Sequence, residues 1–240
     1  MTPVFLTAEW KWLAMANYAV APALLHPYLP AGTELDLWEG EAFVSLVGFL
    51  FTNTRLRGIR VPFHADFEEV NLRTYVRRRT GESDWRRGVV FINEIVPKPT
   101  LAFVANHAYQ EHYRCLPMRH DIHQTEEALT VQYEWGKGTW NSLCVVTDIQ
   151  PREQDPASMD AFMTEHYFGY TRIDARHTGE YEVGHPAWKT YPVQGFEIKV
   201  DFSALYGPSF AFLEGLRPDS VLLAQGSEVR VGRRQVIKNP

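Results

Sequence analysis

Continuous and alternating apolar segments dominate the chain and predict a protein built mainly of β-strands. Residues 42–51 (AFVSLVGFLF) are almost continuously apolar, which is typical of a strand buried on both faces. Residues 67–75 (FEEVNLRTY) alternate instead, and residues 89–96 (VVFINEIV) complete a long hairpin with them. Turns rich in Gly, Pro and Asp separate the further predicted strands, which are 101–105, 129–135, 142–148, 179–183, 195–201, 221–223 and 228–231.

Helix signals are fewer and short. A short helix is predicted at 22–25, and another follows Asp155, which is placed as an N-cap before Pro156. A third is predicted over 202–213 with an interruption at Gly207. Many strands and few helices indicate an α+β protein, mainly β, and the absence of repeats or linkers favours one domain over residues 1–240.

Composition and charge narrow the function classes. The 240 residues have a net charge of −5. The arginines between Arg55 and Arg87 lie around a predicted hairpin turn and are interleaved with acidic residues. A nucleic-acid partner is therefore not expected. No apolar stretch approaches the ~20 residues of a membrane span, and the first residues contain no export signal, so a cytoplasmic protein without a membrane partner is expected. Cys115 and Cys144 are too few for a disulfide framework.

Lys98 is the most unusual candidate for chemistry, because it follows a hydrophobic strand and lies between Pro97 and Pro99. If the strand stays regular, Lys98 shares a face with Val90, Ile92, Glu94 and Val96. Burial of that kind lowers the pKa of an amine, as an imine-forming lysine requires, and Glu94 could move protons beside it. A lysine that reaches back to solvent from the strand end is the simpler alternative.

A second candidate is the strand face that carries Glu69, Asn71, Arg73 and Tyr75. Such a polar face usually contacts solvent, but in a small barrel it can line a ligand-holding interior. Glu68 lies on the opposite face with Val70 and Leu72, and either glutamate could be a buried acid.

Four potential zinc ligands lie close together in the sequence, in His112-x-x-Cys115 and His120-x-x-His123. The spacing matches no standard zinc motif, and hydrogen-bonded histidines explain it more simply. No metal and no other cofactor is therefore predicted. Motifs for nucleotide binding and for serine hydrolases are also missing.

Several segments together resemble the YqjF-like family of uncharacterised bacterial proteins. They are WKWLAMANYAV, LLHPYLPAGTELDLWEGEAFVSLVGF, FEEVNLRTYV, RRGVVFINEIVPK, LPMRH and HPAW. That family is similar in structure to acetoacetate decarboxylase, which implies a cone-shaped antiparallel β-barrel with a few short helices. The resemblance also suggests self-association into a homo-oligomer.

The resemblance also implies roles for individual residues. Decarboxylases of that type form a Schiff base through a lysine in a Pro-Lys-Lys element, which makes Lys98 the candidate nucleophile and Glu69, or Glu68, the acid/base. Pro99 takes the place of the second lysine, so the cationic neighbour that would lower the pKa of Lys98 is missing, unless Arg73 or Arg119 comes close. Arg73 and Arg119 are the candidate anchors for a substrate carboxylate.

Two functional hypotheses follow. The first is a Schiff-base enzyme of decarboxylase, aldolase or dehydratase type that acts on a small oxo-acid through Lys98. The second is a non-catalytic barrel that binds a small ligand, with Lys98 serving only as an ion-pair partner.

Overall fold

The computed structural model describes residues 3–109 and 111–238, without the side chains at 104, 105, 108 and 109. The strands in this part of the chain are β1 (Val4–Val20), β2 (Glu34–Leu35), β3 (Ala42–Leu56), β4 (Ile59–Arg60), β5 (Phe67–Arg79), β6 (Trp85–Val96), β7 (Tyr113–Cys115), β8 (Met118–Gln124), β9 (Leu129–Lys137), β10 (Thr139–Thr147), β11 (Phe168–Arg172), β12 (His177–Gly184), β13 (Thr190–Tyr191), β14 (Val193–Lys199), β15 (Ser220–Gly232) and β16 (Gln235–Lys238). The helices are α1 (Pro22–Leu25), α2 (Pro99–Tyr109), α3 (Met159–Thr164) and α4 (Phe202–Tyr206), with 3-10 turns at His26–Tyr28 and Pro208–Leu213. The predicted class, mainly β with short helices, is confirmed. The assignment of residues 1–240 to a single domain stays a prediction.

The larger sheet curls until it meets itself. Its strands follow the order β15-β1-β3-β5-β6-β11-β12, and β12 pairs again with β15 through Val183 and Val231. The predicted antiparallel arrangement holds along most of this circuit, but β11 runs parallel to β6. Between those two strands the chain crosses the second sheet and α3, and a connection of that length permits parallel pairing.

A second sheet, in the order β14-β10-β9-β8, covers one outer face of the curled sheet. Tyr133 and Trp135 of β9 pack there against Leu46 of β3 and Leu72 of β5, all fully buried. The alternate residues of β3, such as Val47, belong to a separate cluster on the inner face. The continuous apolar pattern of β3 thus reflects burial on both faces, as predicted.

Strand β5 is also buried on both faces. Val70 and Leu72 pack between the two sheets, whereas Glu69, Asn71 and Arg73 face the interior of the curled sheet. The two open alternatives for this polar face are therefore decided in favour of the interior, since the three side chains are 2%, 2% and 8% exposed. Parity along the strand turns Glu68 the other way.

Two local expectations were wrong, and several strands were not predicted. The segment predicted as a strand at 101–105 belongs to α2, because Pro99 fixes a helical φ at the first position and a short apolar run does not distinguish helix from strand. Helix α3 is capped by Ser158, whose hydroxyl accepts from the Ala161 amide, while Asp155 closes a turn with the Ala157 amide. The strands that were not predicted are β1, β8 and β11 and the shorter β2, β4, β7, β13 and β16. No helix among the described residues has the length and apolar character needed to cross a membrane.

Gly88 permits the parallel contact between β6 and β11. A Cβ at this position would overlap the backbone carbonyl of Phe168, so we expect Gly88→Ala to lower the free energy of unfolding by about 3 kcal/mol. Urea denaturation measures this change. Gly195→Ala is the matched control, because its Cβ meets no atom within 4 Å and should change stability by less than about 1 kcal/mol. Equal stability of the two variants would contradict the close packing at β11.

Candidate functional site

A cavity of about 380 Å³ lies inside the curled sheet. Its volume falls within the range of small-molecule sites, and most of its wall is apolar and aromatic. Phe51 and Phe67 stack with ring centroids 4.7 Å apart, and Trp10 contacts Phe49 edge-on at 5.2 Å. These rings give the cavity rigid apolar walls on β1, β3 and β5.

Three carboxyl groups gather at one side of this cavity. Glu69 comes from β5, Glu94 from the position on β6 that pairs with Asn71, and Glu111 from the segment before β7. Glu69 accepts hydrogen bonds from the Asn71 amide at 3.1 Å and from the Tyr113 hydroxyl at 3.2 Å. One oxygen of Glu94 is buried without a hydrogen-bond partner among the described residues.

Glu111 is held by two hydroxyl groups. The Thr171 hydroxyl donates to it at 2.7 Å and the Tyr181 hydroxyl at 3.2 Å. Both donors come from the strand pair β11 and β12, which follows β5 and β6 in the order of the curled sheet. We call Glu69, Glu94 and Glu111 the carboxyl cluster below.

Burial changes the ionisation of all three groups. It raises the pKa of Glu69 to about 7 and that of Glu111 to about 7. The pKa of Glu94 is raised well above its usual value, by burial first and then by repulsion from the other two carboxylates. The cluster therefore holds a carboxyl whose pKa is raised well above its usual value beside two carboxyls whose pKa values lie near 7.

A bulge in β6 brings Glu94 to the cavity. Arg73 pairs with Phe91 and Leu72 with Asn93, so Ile92 is an extra residue between them. Phe91 before the bulge and Glu94 after it consequently both line the cavity.

The face predicted for Lys98 is corrected by this bulge. Val90 and Ile92 pack in other clusters, and β6 ends at Val96, so the strand does not stay regular up to Lys98. Lys98 is half-buried, and its carbonyl accepts from the Ala102 amide at the start of α2. Lys98 is not one of the described residues that line the cavity, whereas Thr100 and Leu101 are.

Arg73 is the cationic group of the cavity wall. It is 8% exposed, and one of its terminal nitrogens donates to the Met163 carbonyl at 3.0 Å. Its Nε has no hydrogen-bond partner among the described residues. No carboxylate oxygen of a described residue lies within 4.0 Å of any guanidinium nitrogen of Arg73. A buried guanidinium without a counter-ion is costly unless an anion binds to it.

Glu68 and Arg119 lie away from the cavity. Glu68 pairs with His120 at 2.7 Å on the side of the second sheet. Arg119 is exposed, pairs with Glu134 at 2.7 Å and covers the ring of Trp140. The structure therefore brings together Glu69, Arg73 and Glu94 of the predicted site, and it leaves Glu68 and Arg119 outside.

Several cavity residues had no predicted role. His166 and His185 line the cavity, but no sequence pattern indicated a function for either. Burial lowers the pKa of each to about 4, so both are neutral at physiological pH. Glu111 and Tyr113 lie in a stretch whose clearest signal was its histidines.

The histidine and cysteine pairs considered for zinc do not form a metal site in the described part of the chain. No group of three or more His, Cys, Asp or Glu residues there has an arrangement that could hold a metal ion. Cys115 is exposed, and His120 is engaged by Glu68.

Unsatisfied polar atoms concentrate at the cavity. Among the described residues, ten buried side-chain nitrogen or oxygen atoms have no hydrogen-bond partner. Six of them belong to cavity-lining residues, namely Trp10, Thr54, Asn71, Arg73, Glu94 and His166. Since buried polar groups are normally paired, this concentration makes the cavity the candidate binding site.

Comparison with solved structures shows the fold. Acetoacetate decarboxylase from Legionella pneumophila aligns with a TM-score of 0.64 at 12% identity, covering 98% of this chain and 88% of that one. The enduracididine biosynthesis enzyme MppR, in complex with pyruvate, aligns with a TM-score of 0.63 at 12% identity, covering 98% and 91%. The predicted acetoacetate decarboxylase-like fold is thus confirmed.

Comparison of sequences shows the family. The uncharacterised protein YqjF of Bacillus subtilis (strain 168) is 38% identical over 68 residues, which are 28% of this chain and 28% of that protein. The match therefore spans less than two thirds of this relative. The profile of the DUF2071 family, described as an uncharacterised conserved protein, matches residues 7–228. This chain, with its curled sheet and buried carboxyl cluster, belongs to the DUF2071 family.

Proposed function

We propose that the protein is an enzyme that transfers protons on a small oxo-acid bound in the cavity. The observation that carries this proposal is the carboxyl cluster, which places groups of different proton affinity side by side in an apolar enclosure. Such a pair supplies a base and an acid at the same pH. The binding of pyruvate by MppR, a protein of the same fold, agrees with an oxo-acid ligand.

The proton transfer uses two members of the cluster. The ionised carboxylate of Glu69 removes a proton from the carbon next to the ketone. The electron pair of that C–H bond forms the carbon–carbon double bond, while the π electrons of the ketone move to its oxygen. The neutral carboxylic acid of Glu94 donates its proton to that oxygen, which gives the enol. Reversal of both transfers regenerates the ketone and both carboxyl groups.

Arg73 is the anchor for the substrate carboxylate in this proposal. Glu69 and Arg73 point into the cavity from the same strand with Cα atoms about 13 Å apart, at about 3.3 Å per residue. Because the proposed base and the proposed anchor are this far apart, the site favours an acid in which several atoms separate the ketone from the carboxylate. Repulsion keeps the carboxylate away from the carboxyl cluster itself.

Hydrogen–deuterium exchange tests the proposal. Pyruvate, acetoacetate and levulinate differ in the spacing between carboxylate and ketone, and NMR in D₂O reports loss of the hydrogens next to each ketone. We expect exchange above the protein-free rate, and the greatest acceleration for levulinate. Binding without accelerated exchange would instead support the non-catalytic ligand-binding barrel.

Imine formation at Lys98 is the second candidate. It is favoured by one observation: Lys98 lies in the chain between Glu94 and Thr100, which both line the cavity. Borohydride reduction in the presence of the same acids, followed by peptide mapping, would place a stable adduct on Lys98 if this route operates.

The two candidates predict opposite results for Lys98→Ala. Under carboxyl-based proton transfer we expect this variant to keep its exchange rate within about threefold of the wild-type rate, because the acid and the base remain in place. The imine route requires its exchange to fall to the protein-free rate. Lys189→Ala, which removes an exposed amine paired with Glu153, is the matched control.

A further inference from the structure

The charged groups of the cavity lie toward one of its ends. From Glu69, Arg73 is four positions along β5 in one direction, and Phe67 is two positions along it in the other. Glu94 lies on β6 beside the stretch of β5 between Glu69 and Arg73. Among the described residues that line the cavity, only these three and Glu111 of the same cluster carry a carboxyl or guanidinium group, and none is a lysine.

Aromatic rings form the wall on the other side of Glu69. Phe67 pairs with Phe51 of β3, and Phe51 pairs with Trp10 of β1. The rings of Phe51 and Phe67 are 4.7 Å apart, and those of Trp10 and Phe51 are 5.7 Å apart. Trp10 is only half-buried although it lines the cavity, so its indole offers apolar surface to a ligand. This aromatic layer lies about 7 Å from Glu69 along β5, at about 3.3 Å per residue.

A layer of aliphatic side chains follows where the sheet closes on itself. Leu6 of β1 pairs with Leu56 of β3 on one side and with neighbouring Val231 of β15 on the other, and Val231 pairs with Val183 of β12. All four line the cavity, and Leu6, Leu56 and Val231 are half-buried. We call the aromatic and aliphatic layers together the apolar half of the cavity.

The cavity opens on the side of the apolar half. Val61, beside β4, and Thr100, at the start of α2, both line the cavity, yet both are exposed. A ring nitrogen of His64 is hydrogen-bonded to the Thr100 hydroxyl and joins the two segments there. Arg73, by contrast, is 8% exposed and donates to the Met163 carbonyl of α3. A ligand that reaches Arg73 therefore leaves its opposite end in the apolar half.

We infer that the substrate carries an apolar tail on the side of the ketone that is away from the carboxylate. The inference rests on the proposed function, because the carboxylate on Arg73 and the ketone at the carboxyl cluster orient the ligand. A methyl ketone leaves the apolar half unfilled, whereas an alkyl tail removes both its own surface and that of the wall from water. The substrate class is thus narrowed to γ-oxo acids with a tail of about four or more carbon atoms, the length that reaches the aromatic layer.

A homologous series tests the inference by calorimetry. Levulinate, 4-oxohexanoate and 4-oxooctanoate share one spacing between carboxylate and ketone and differ only in the tail. Each added methylene should tighten binding about two- to fourfold, so 4-oxooctanoate should bind at least about eightfold more tightly than levulinate. Its isomer 7-oxooctanoate is the control, because it places the same three methylenes between the ketone and the carboxylate. It should gain less affinity over levulinate.

Trp10→His probes the wall of the apolar half. The variant keeps a flat ring but replaces much of the apolar indole surface with a smaller polar group, so the ratio of the affinities for 4-oxooctanoate and levulinate should fall at least about threefold. Trp140→His is the matched control, since Trp140 lies on β10, is 39% exposed and does not line the cavity. An equal fall in both variants would contradict a tail site at Trp10.

An NMR measurement on the unaltered protein covers the case in which Trp10→His does not fold. The methyl group at the chain end of bound 4-oxooctanoate should show nuclear Overhauser effects to the indole protons of Trp10. Equal affinities for levulinate and 4-oxooctanoate, or for the two isomers, would overturn the apolar tail, while accelerated exchange of levulinate would still support the proposed function. Tighter binding along the series without any exchange would overturn the proposed enzyme and retain the tail site.

Discussion

The proton-exchange rate of the Glu69→Gln variant is expected to be at least about 100-fold lower than that of wild type, because glutamine cannot accept the substrate proton. The hydrogen bonds around the side chain can persist, since the amide oxygen can still accept from Asn71. NMR-detected exchange of levulinate in D₂O measures the loss. A rate within threefold of wild type would contradict the role of Glu69 as the base.

The same substitution should stabilise the protein at high pH. The pKa of Glu69 is about 7 in the folded protein against 4.5 ordinarily, so its protonated form is favoured by folding. The stability linked to this group is fully present below pH 4.5 and is lost as pH rises through 7. A shift of this size corresponds to about 3 kcal/mol, which the neutral glutamine should recover above pH 7.

Urea denaturation at pH 4.5 and pH 8 checks this sign. We expect Glu69→Gln and wild type to unfold alike at the lower pH, and the variant to be more stable at the higher pH. Glu68→Gln is the matched control, because Glu68 lies on the other face of β5 and pairs with His120. If Glu68→Gln were stabilised at pH 8, or if Glu69→Gln were destabilised there, the assignment of the raised pKa to Glu69 would be contradicted.

Arg73→Met is expected to weaken the binding of carboxylate ligands about 10- to 100-fold. Methionine retains much of the length and apolar bulk of the side chain but removes the charge, and hydrogen bonds to charged groups contribute about 1.5–3 kcal/mol. The fold should tolerate the change, since an unpaired buried guanidinium costs free energy in the absence of an anion.

Calorimetry with phenylacetate and its neutral analogue phenylacetamide measures this effect. The loss should be confined to the carboxylate, and the affinity for the amide should change little. Arg119→Met is the control, because Arg119 is exposed and paired with Glu134. An equal loss in both variants would show that general charge, rather than the cavity anchor, attracts the acid.

Much of the fold was predictable from local pattern. The alternation in β5 identified one face with Glu69, Asn71 and Arg73, because side chains alternate strictly along a regular strand. That pattern could not show whether the face meets solvent or a cavity. The answer depends on the closure of the sheet between β12 and β15, which are distant in sequence from β5.

The rest of the site depends on irregularities that a periodic pattern does not contain. A single extra residue at Ile92 moves Glu94 to the cavity face. Glu111 reaches the cluster through the segment between α2 and β7, where no periodicity places it. The predicted common face of Val90, Ile92 and Glu94 was wrong because the bulge separates Glu94 from the two residues before it.

The pH dependence of exchange in the wild-type protein tests the central claim most directly. If Glu69 is the base, the rate of levulinate exchange per enzyme should rise with pH through an apparent pKa near 7 and then level off. The rise should be absent in Glu69→Gln and preserved in Lys98→Ala. Exchange no faster than the protein-free rate, or a pH profile that Glu69→Gln leaves unchanged, would contradict the claim.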